Sequence, residues 1–346
     1  MDRRHFIKLG ISGGIAVNLP SSHLYASSPK GLMTVGGKIS TKTAGIVLPH
    51  EHILVDFIGA SQVSPERYDR AEVFQKALPY LEQAKALGCQ TMMECTPNFL
   101  GRDPELLQQL SEKTGIHLLT NTGYYAARKY QHLPASFFNT SVEEVAEIWI
   151  NEWKNGIGDT GIKPGFIKIG NDPGETEDEI AMDQKLVRIA AKTHAATGLT
   201  IANHLSRGYD AVQTIQTLKI LQEEEVHPSA WIWVHAQNEE DMSKHIEVAR
   251  QGAWVEFDGL SPERIAQHAT FVVNMKNEGF LSQVLVSHDA GWYHVGEPQG
   301  GEYRGYSTLF DGFVPALKNA GFTEEDIDLL IVKNPAKAFE VRKRRA

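Results

Sequence analysis

From residue 45 to residue 339, short apolar runs alternate with longer segments whose apolar residues recur every three or four positions. The apolar runs cover 45–48, 90–95, 116–121, 166–170, 199–203, 230–234, 253–257 and 283–287, and each has the length of a strand. Helical spacing predicts helices over 71–87, 104–113, 142–153, 179–197, 211–225, 239–251 and 262–277. Further helices are expected at 305–320 and 323–332, with a short one at 334–339, while 38–44 reads as a polar lead-in. Strands separated by helices imply βαβ units and a parallel sheet. Eight such units predict an α/β fold, a single (β/α)8 TIM barrel over 31–346. A doubly wound sheet fits less well, because no glycine-rich phosphate loop follows any strand.

Barrel enzymes build their sites at the carboxyl ends of the strands. The first strand runs into His50-Glu51-His52, and residues two apart on a strand share a face, so both imidazoles can serve one metal ion. Lys168 lies on the fourth strand, His204 ends the fifth, His235 ends the sixth and Asp289 follows the eighth. One histidine at a strand end is usually an ordinary hydrogen-bonded residue. Four at equivalent ends would be expensive to bury without partners, which points to metal. Lys168 needs a separate account, since an ammonium has three donors and no acceptor and sits in an otherwise apolar strand.

The ordered set Pro49-His50-Glu51-His52, Thr96-Pro97 with Gly101-Arg102-Asp103-Pro104, Thr122-Gly123-Tyr124-Tyr125, Phe166-Ile167-Lys168-Ile169, Asn203-His204, Val234-His235, His288-Asp289 and Asn334-Pro335-Ala336-Lys337-Ala338-Phe339 resembles the phosphotriesterase-like family of the amidohydrolase superfamily. The resemblance covers the whole chain after its first residues. It implies a binuclear site, usually zinc, at the C-terminal face of the barrel. In that pattern His50, His52 and Asp289 bind the more buried ion, and His204 and His235 bind the more exposed one. Lys168, carboxylated by carbon dioxide, bridges both, which turns a cation into a ligand with two acceptor oxygens. A hydroxide bridging the ions attacks the substrate, and Asp289 accepts its proton.

Departures from the family pattern bear on the substrate. Phosphotriesterases have a relay aspartate after the strand-six histidine, whereas this chain reads His235-Ala236-Gln237-Asn238. Family lactonases place an arginine after the strand-seven aspartate, but here Asp258 precedes Gly259; Tyr125 matches their tyrosine. The expected reaction is hydrolysis of a carboxylic ester or lactone. Phosphotriester or N-acyl amide hydrolysis is the alternative, and a noncatalytic periplasmic ligand-binding barrel is an alternative of another class. Tyr125, Asp258 and Arg304 are the expected substrate contacts, Arg304 through a bidentate grip on a carboxylate or phosphate.

Composition narrows the partners. The chain has 346 residues, 42% hydrophobic and 22% charged, with a formal net charge of -9, so it lacks the basic stripe that nucleic-acid binding needs. No apolar run reaches the roughly 18 residues needed to span a bilayer. A small-molecule substrate is therefore expected, with neither nucleic acid nor membrane as partner; barrels of this family often form homodimers. Asp2-Arg3-Arg4-His5-Phe6, followed by a modestly apolar run and small residues up to Ala26, resembles a Tat export signal. Residues 1–30 are thus expected to direct the protein to the periplasm. Cys89 and Cys95 are six positions apart, too far along an extended chain for a disulfide.

Overall fold

The structure, a computed structural model, describes residues 31–205 and 211–346; the twin-arginine segment lies outside the described residues. Eight parallel strands form the barrel: β1 Ile46–Glu51, β2 Cys89–Glu94, β3 His117–Leu119 continued by Asn121–Thr122, β4 Phe166–Asn171, β5 Ile201–Leu205, β6 Trp231–Val234, β7 Trp254–Phe257 and β8 Val284–Val286. Ladders join β1 through β3, and a second set runs from Asn121–Thr122 to β8. The ring closes where the Asp289 backbone N–H donates to His50 O at 3.1 Å.

Helices α1 Arg70–Ala86, α2 Pro104–Thr114, α3 Val142–Asn155, α4 Glu177–Thr197, α5 Ala211–Glu223, α6 Met242–Arg250 and α7 Ile265–Asn277 connect successive strands. Their limits follow local chemistry. Capping boxes at Ser141/Glu144 and Thr176/Glu179 start α3 and α4, and left-handed Gly115 and Gly198 end α2 and α4.

Strand alternation divides the core. Leu48, Leu118, Ile167, Ile169, Trp231, Trp233 and Val255 face outward onto the helices. Val47, Met93, Leu119, Phe166, Ala202, Ile232, Trp254 and Leu285 fill the barrel interior.

Three features differ from the sequence expectation. A hairpin of Gly31–Thr34 and Gly37–Ser40 precedes the barrel and takes up the start of the polar lead-in expected over 38–44, and its Leu32 plugs the barrel floor beside Phe166 and Phe339. β5 begins two residues later than expected and extends past His204, so that histidine sits inside a ladder opposite Val234. The helix expected from residue 305 starts only at Leu309, with a wide turn over Leu309–Phe313 before Val314–Asn319. Residues before it are held extended because Arg304 and Gly291 exchange two backbone hydrogen bonds.

Candidate active site

The pleat of the strands puts the chemistry one layer above the apolar floor. Lys168 stands two residues beyond Phe166, His204 two beyond Ala202 and Glu256 two beyond Trp254, so all three project into the mouth. On β1 the register slips between Leu48 and Glu51, a bulge that re-aims the chain end. There His50 and His52 lie with ring centroids 5.4 Å apart. His235 and Asp289 both take left-handed backbone conformations, with φ of 63° and 52°. Such strain in non-glycine residues persists where the surroundings over-determine it.

Hydrogen bonds specify which imidazole nitrogen is open. The Thr96 hydroxyl donates its only proton to Leu54 O, so its oxygen accepts from His52 Nδ1–H at 2.7 Å and leaves Nε2 bare. His50 Nδ1 faces Asp258 Oδ2 at 3.0 Å and Glu256 Oε2 at 3.3 Å, which turns its Nε2 toward the mouth. Both Nε2 atoms look at Asp289 Oδ1, from 3.2 Å for His52 and 3.6 Å for His50. That oxygen is buried and accepts no hydrogen bond.

The second pair is built alike. His235 Nδ1–H donates to Asp258 Oδ1 at 2.6 Å, its Nε2 lies 2.7 Å from His204 Nδ1, and His204 Nε2 meets the Tyr125 hydroxyl at 3.0 Å.

Burial and charge act differently on each group. Burial works against a protonated His50, but Asp258, Glu256 and Asp289 outweigh it and hold its pKa up at about 10. His52 is pushed down to about 4, chiefly by burial. Burial, then the neighbouring His235, drives His204 well below the usual imidazole value. Burial disfavours the Asp289 carboxylate, yet His52, His50 and His235 reverse that and bring it to about 2. Lys168 is 2% exposed, and its charge is felt by both His52 and His204.

The arrangement fits divalent metal. Ligand atoms of His50, His52 and Asp289 lie within 4.8 Å of one another, around a buried oxygen with nothing to accept. His204 and His235 offer a second pair of nitrogens. His50, His235 and Asp258 also cluster within 4.8 Å. Asp258 is already filled there by His50, the His235 ring and backbone N–H, and the Gln237 amide, so it orients ligands.

The structure thus brings His50, His52, Lys168, His204, His235 and Asp289 to one mouth. Tyr125 reaches the same mouth, and Gly170 permits it, since a Cβ there would stand 2.4 Å from the tyrosine ring. Asp258, expected at the substrate, instead lies fully buried beneath the histidines. The exposed Arg304 rims a cavity of about 1070 Å³ that opens over His204, His235 and Asp289, and its guanidinium donates to the Asp289 carbonyl.

Sequence reasoning assigned no role to Glu51 in supporting the site. Glu51 is fully buried; its Oε1 accepts from Ser287 Oγ, His288 N and His288 Nδ1, and its Oε2 accepts from Ala290 N, so one carboxylate clamps the turn carrying Asp289. Trp292 packs its ring 3.9 Å from that of His52 and donates from Nε1 to Asp289 O. Gly291 takes φ of +94°, and a Cβ there would lie 1.8 Å from His52 O. The only sequence signal for these roles was the position of Glu51 between the two histidines and of Gly291 and Trp292 just after Asp289.

Barrel and donor set together define a metal-site protein of the (β/α)8 class. Residues 30–339 match the Phosphotriesterase family, and the chain belongs to that family. An aryldialkylphosphatase of Saccharolobus solfataricus is 28% identical over 312 residues, covering 87% of this chain and 96% of that protein. An N-acetyltaurine hydrolase of Rattus norvegicus is 26% identical over 346 residues, covering 88% of this chain and 96% of that protein. Among solved structures, the organophosphorus hydrolase from Deinococcus radiodurans superposes with a TM-score of 0.78 at 27% identity, covering 90% of this chain and 98% of that one.

Proposed function

We propose that this protein hydrolyses a carboxylic ester or lactone with two divalent ions, zinc in the first instance. His50, His52 and Asp289 would hold one ion and His204 and His235 the other, with Lys168 as a bridging carbamate. The carbamate reading is supported by the burial of a lysine beside both donor sets, where an ammonium can ligate nothing. When bound, such ions supply Lewis acidity and lower the pKa of a coordinated water.

The chain's own groups do the rest. Asp289 Oδ1, facing His50 and His52 at the mouth, is placed to take a proton from the attacking water. Asp258 keeps the His50 and His235 rings in one tautomer. The observation that carries the ester or lactone reading is the Tyr125 hydroxyl beside His204. Burial raises its pKa far above the ordinary phenol value, so it remains a neutral donor suited to a carbonyl or ring oxygen. Gln237 supports the same ranking, because both ends of its amide are bonded to Asp258 and no relay carboxylate stands there. The relatives named N-acetyltaurine hydrolase favour an N-acyl amide as the second reading. The twin-arginine segment supports export to the periplasm, which fractionation of the native host would test.

Zinc-loaded protein assayed on lactone, aryl ester, N-acyl amide and phosphotriester panels tests the ranking. The highest kcat/KM is expected on an ester or lactone, lost on chelation and restored by zinc. Equal or greater efficiency on the phosphotriester rejects the order, and tight binding without any turnover favours a noncatalytic barrel.

A further inference from the structure

We infer that Arg128 is a specificity residue that binds an anionic group, a carboxylate or sulfonate, at the end of the substrate remote from the scissile bond. The inference rests on the hydrolase reading above and deepens it. Arg128 lies on the loop after β3 and borders both the main cavity and an adjoining hollow of about 420 Å³. Its guanidinium carbon sits 3.9 Å from the centroid of the Phe57 ring. Phe57 stacks on Trp292 at 6.0 Å, and Trp292 covers His52 at 3.9 Å. One layered stack therefore leads from the cation to the metal mouth. A guanidinium lying on a ring keeps its in-plane N–H donors for another partner. Among the described residues those donors meet no carboxylate and no hydrogen-bond acceptor, although Glu297 and Glu302 border the same hollow. Arg304 borders the same two cavities, so two arginines line the opening in a protein whose net charge is -9.

The backbone points the same way. Arg128, Lys129 and Tyr130 have φ of 62°, 57° and 62°, a run of three left-handed residues with no glycine. Bonds from Tyr130 N to Ala126 O, Lys129 N to Asp172 Oδ2 and Tyr130 OH to Glu179 O hold that run in place. Strain of this kind persists where surrounding structure enforces it and gathers at ligand-clamping segments. Here it presents a side chain at the cavity mouth.

The test uses zinc-loaded protein and two matched pairs: para-nitrophenyl hemisuccinate against para-nitrophenyl butyrate, and N-acetyltaurine against N-acetylethanolamine. R128M is expected to lower kcat/KM for the anionic member of a pair about 10- to 100-fold through KM, the size of one charge-assisted contact. It should leave the neutral member within about threefold, and R128K should recover part of the loss. Added salt should raise KM for the anionic member alone. Calorimetric titration of N-acetyltaurine and N-acetylethanolamine into metal-free wild type and R128M reads the same preference without turnover. An anionic-to-neutral ratio unchanged by R128M, or equal binding of the two ligands, overturns the inference. Turnover of the neutral ester reports separately on the hydrolase reading, so failure of one is distinguishable from failure of the other.

Discussion

Replacing Glu51 by glutamine tests whether one buried carboxylate sets the geometry of the site. Its Oε1 accepts from Ser287 Oγ at 2.8 Å, His288 N at 3.1 Å and His288 Nδ1 at 2.6 Å, and its Oε2 accepts from Ala290 N at 2.9 Å. The best orientation of a glutamine amide keeps its carbonyl on the three-donor side. Its NH2 then faces the Ala290 N–H, which loses one bond and strands a buried donor at a cost of about 1–3 kcal/mol. The other three contacts lose their charge assistance, which brings the expected destabilisation of E51Q to about 2–4 kcal/mol. Asp289 sits between two of the clamped residues, so its Oδ1 should drift from His50 and His52 and zinc affinity should fall about 10- to 100-fold. Urea denaturation of the metal-free protein and chelator competition for zinc measure the two effects. Stability within about 0.5 kcal/mol of wild type, together with unchanged zinc affinity, would refute the clamp.

Three further substitutions probe separate links. D258N removes the carboxylate that fixes the His50 and His235 tautomers; zinc affinity should fall about 10- to 100-fold by chelator competition with little change in far-UV circular dichroism. G291A forces a methyl group against the His52 carbonyl at positive φ and should lower stability by about 2 kcal/mol or more in urea denaturation. Asp183, buried on α4 and bonded to Asn171, has its pKa pushed up by burial to about 7. A carboxyl raised in the folded state contributes its stability below the unfolded value near 4 and loses it as pH rises through about 7. D183N should therefore stabilise the protein by about 1–3 kcal/mol at pH 8 and hardly at all near pH 4, as denaturation at the two pH values would show.

The pattern of apolar positions was enough to specify eight βα units, because pleat and helical period are local properties that each segment carries alone. It also placed Lys168 on the fourth strand and His204, His235 and Asp289 at or just after strand ends, where a barrel collects them. What each residue touches was decided elsewhere. Glu51 meets His288 across 237 positions of sequence, and only closure of the ring joins them. Asp258 read as a substrate contact because its strand-end position is shared by groups above and below the imidazoles; the fold put it below, fully buried. The open nitrogen of His52 depends on Thr96 spending its proton on Leu54 O, and the place of Arg128 depends on Phe57 lying beneath it. Periodicity along a chain can assign a residue to a face, but partners that are distant in sequence and tautomers set by their hydrogen bonds exist only after the elements have packed.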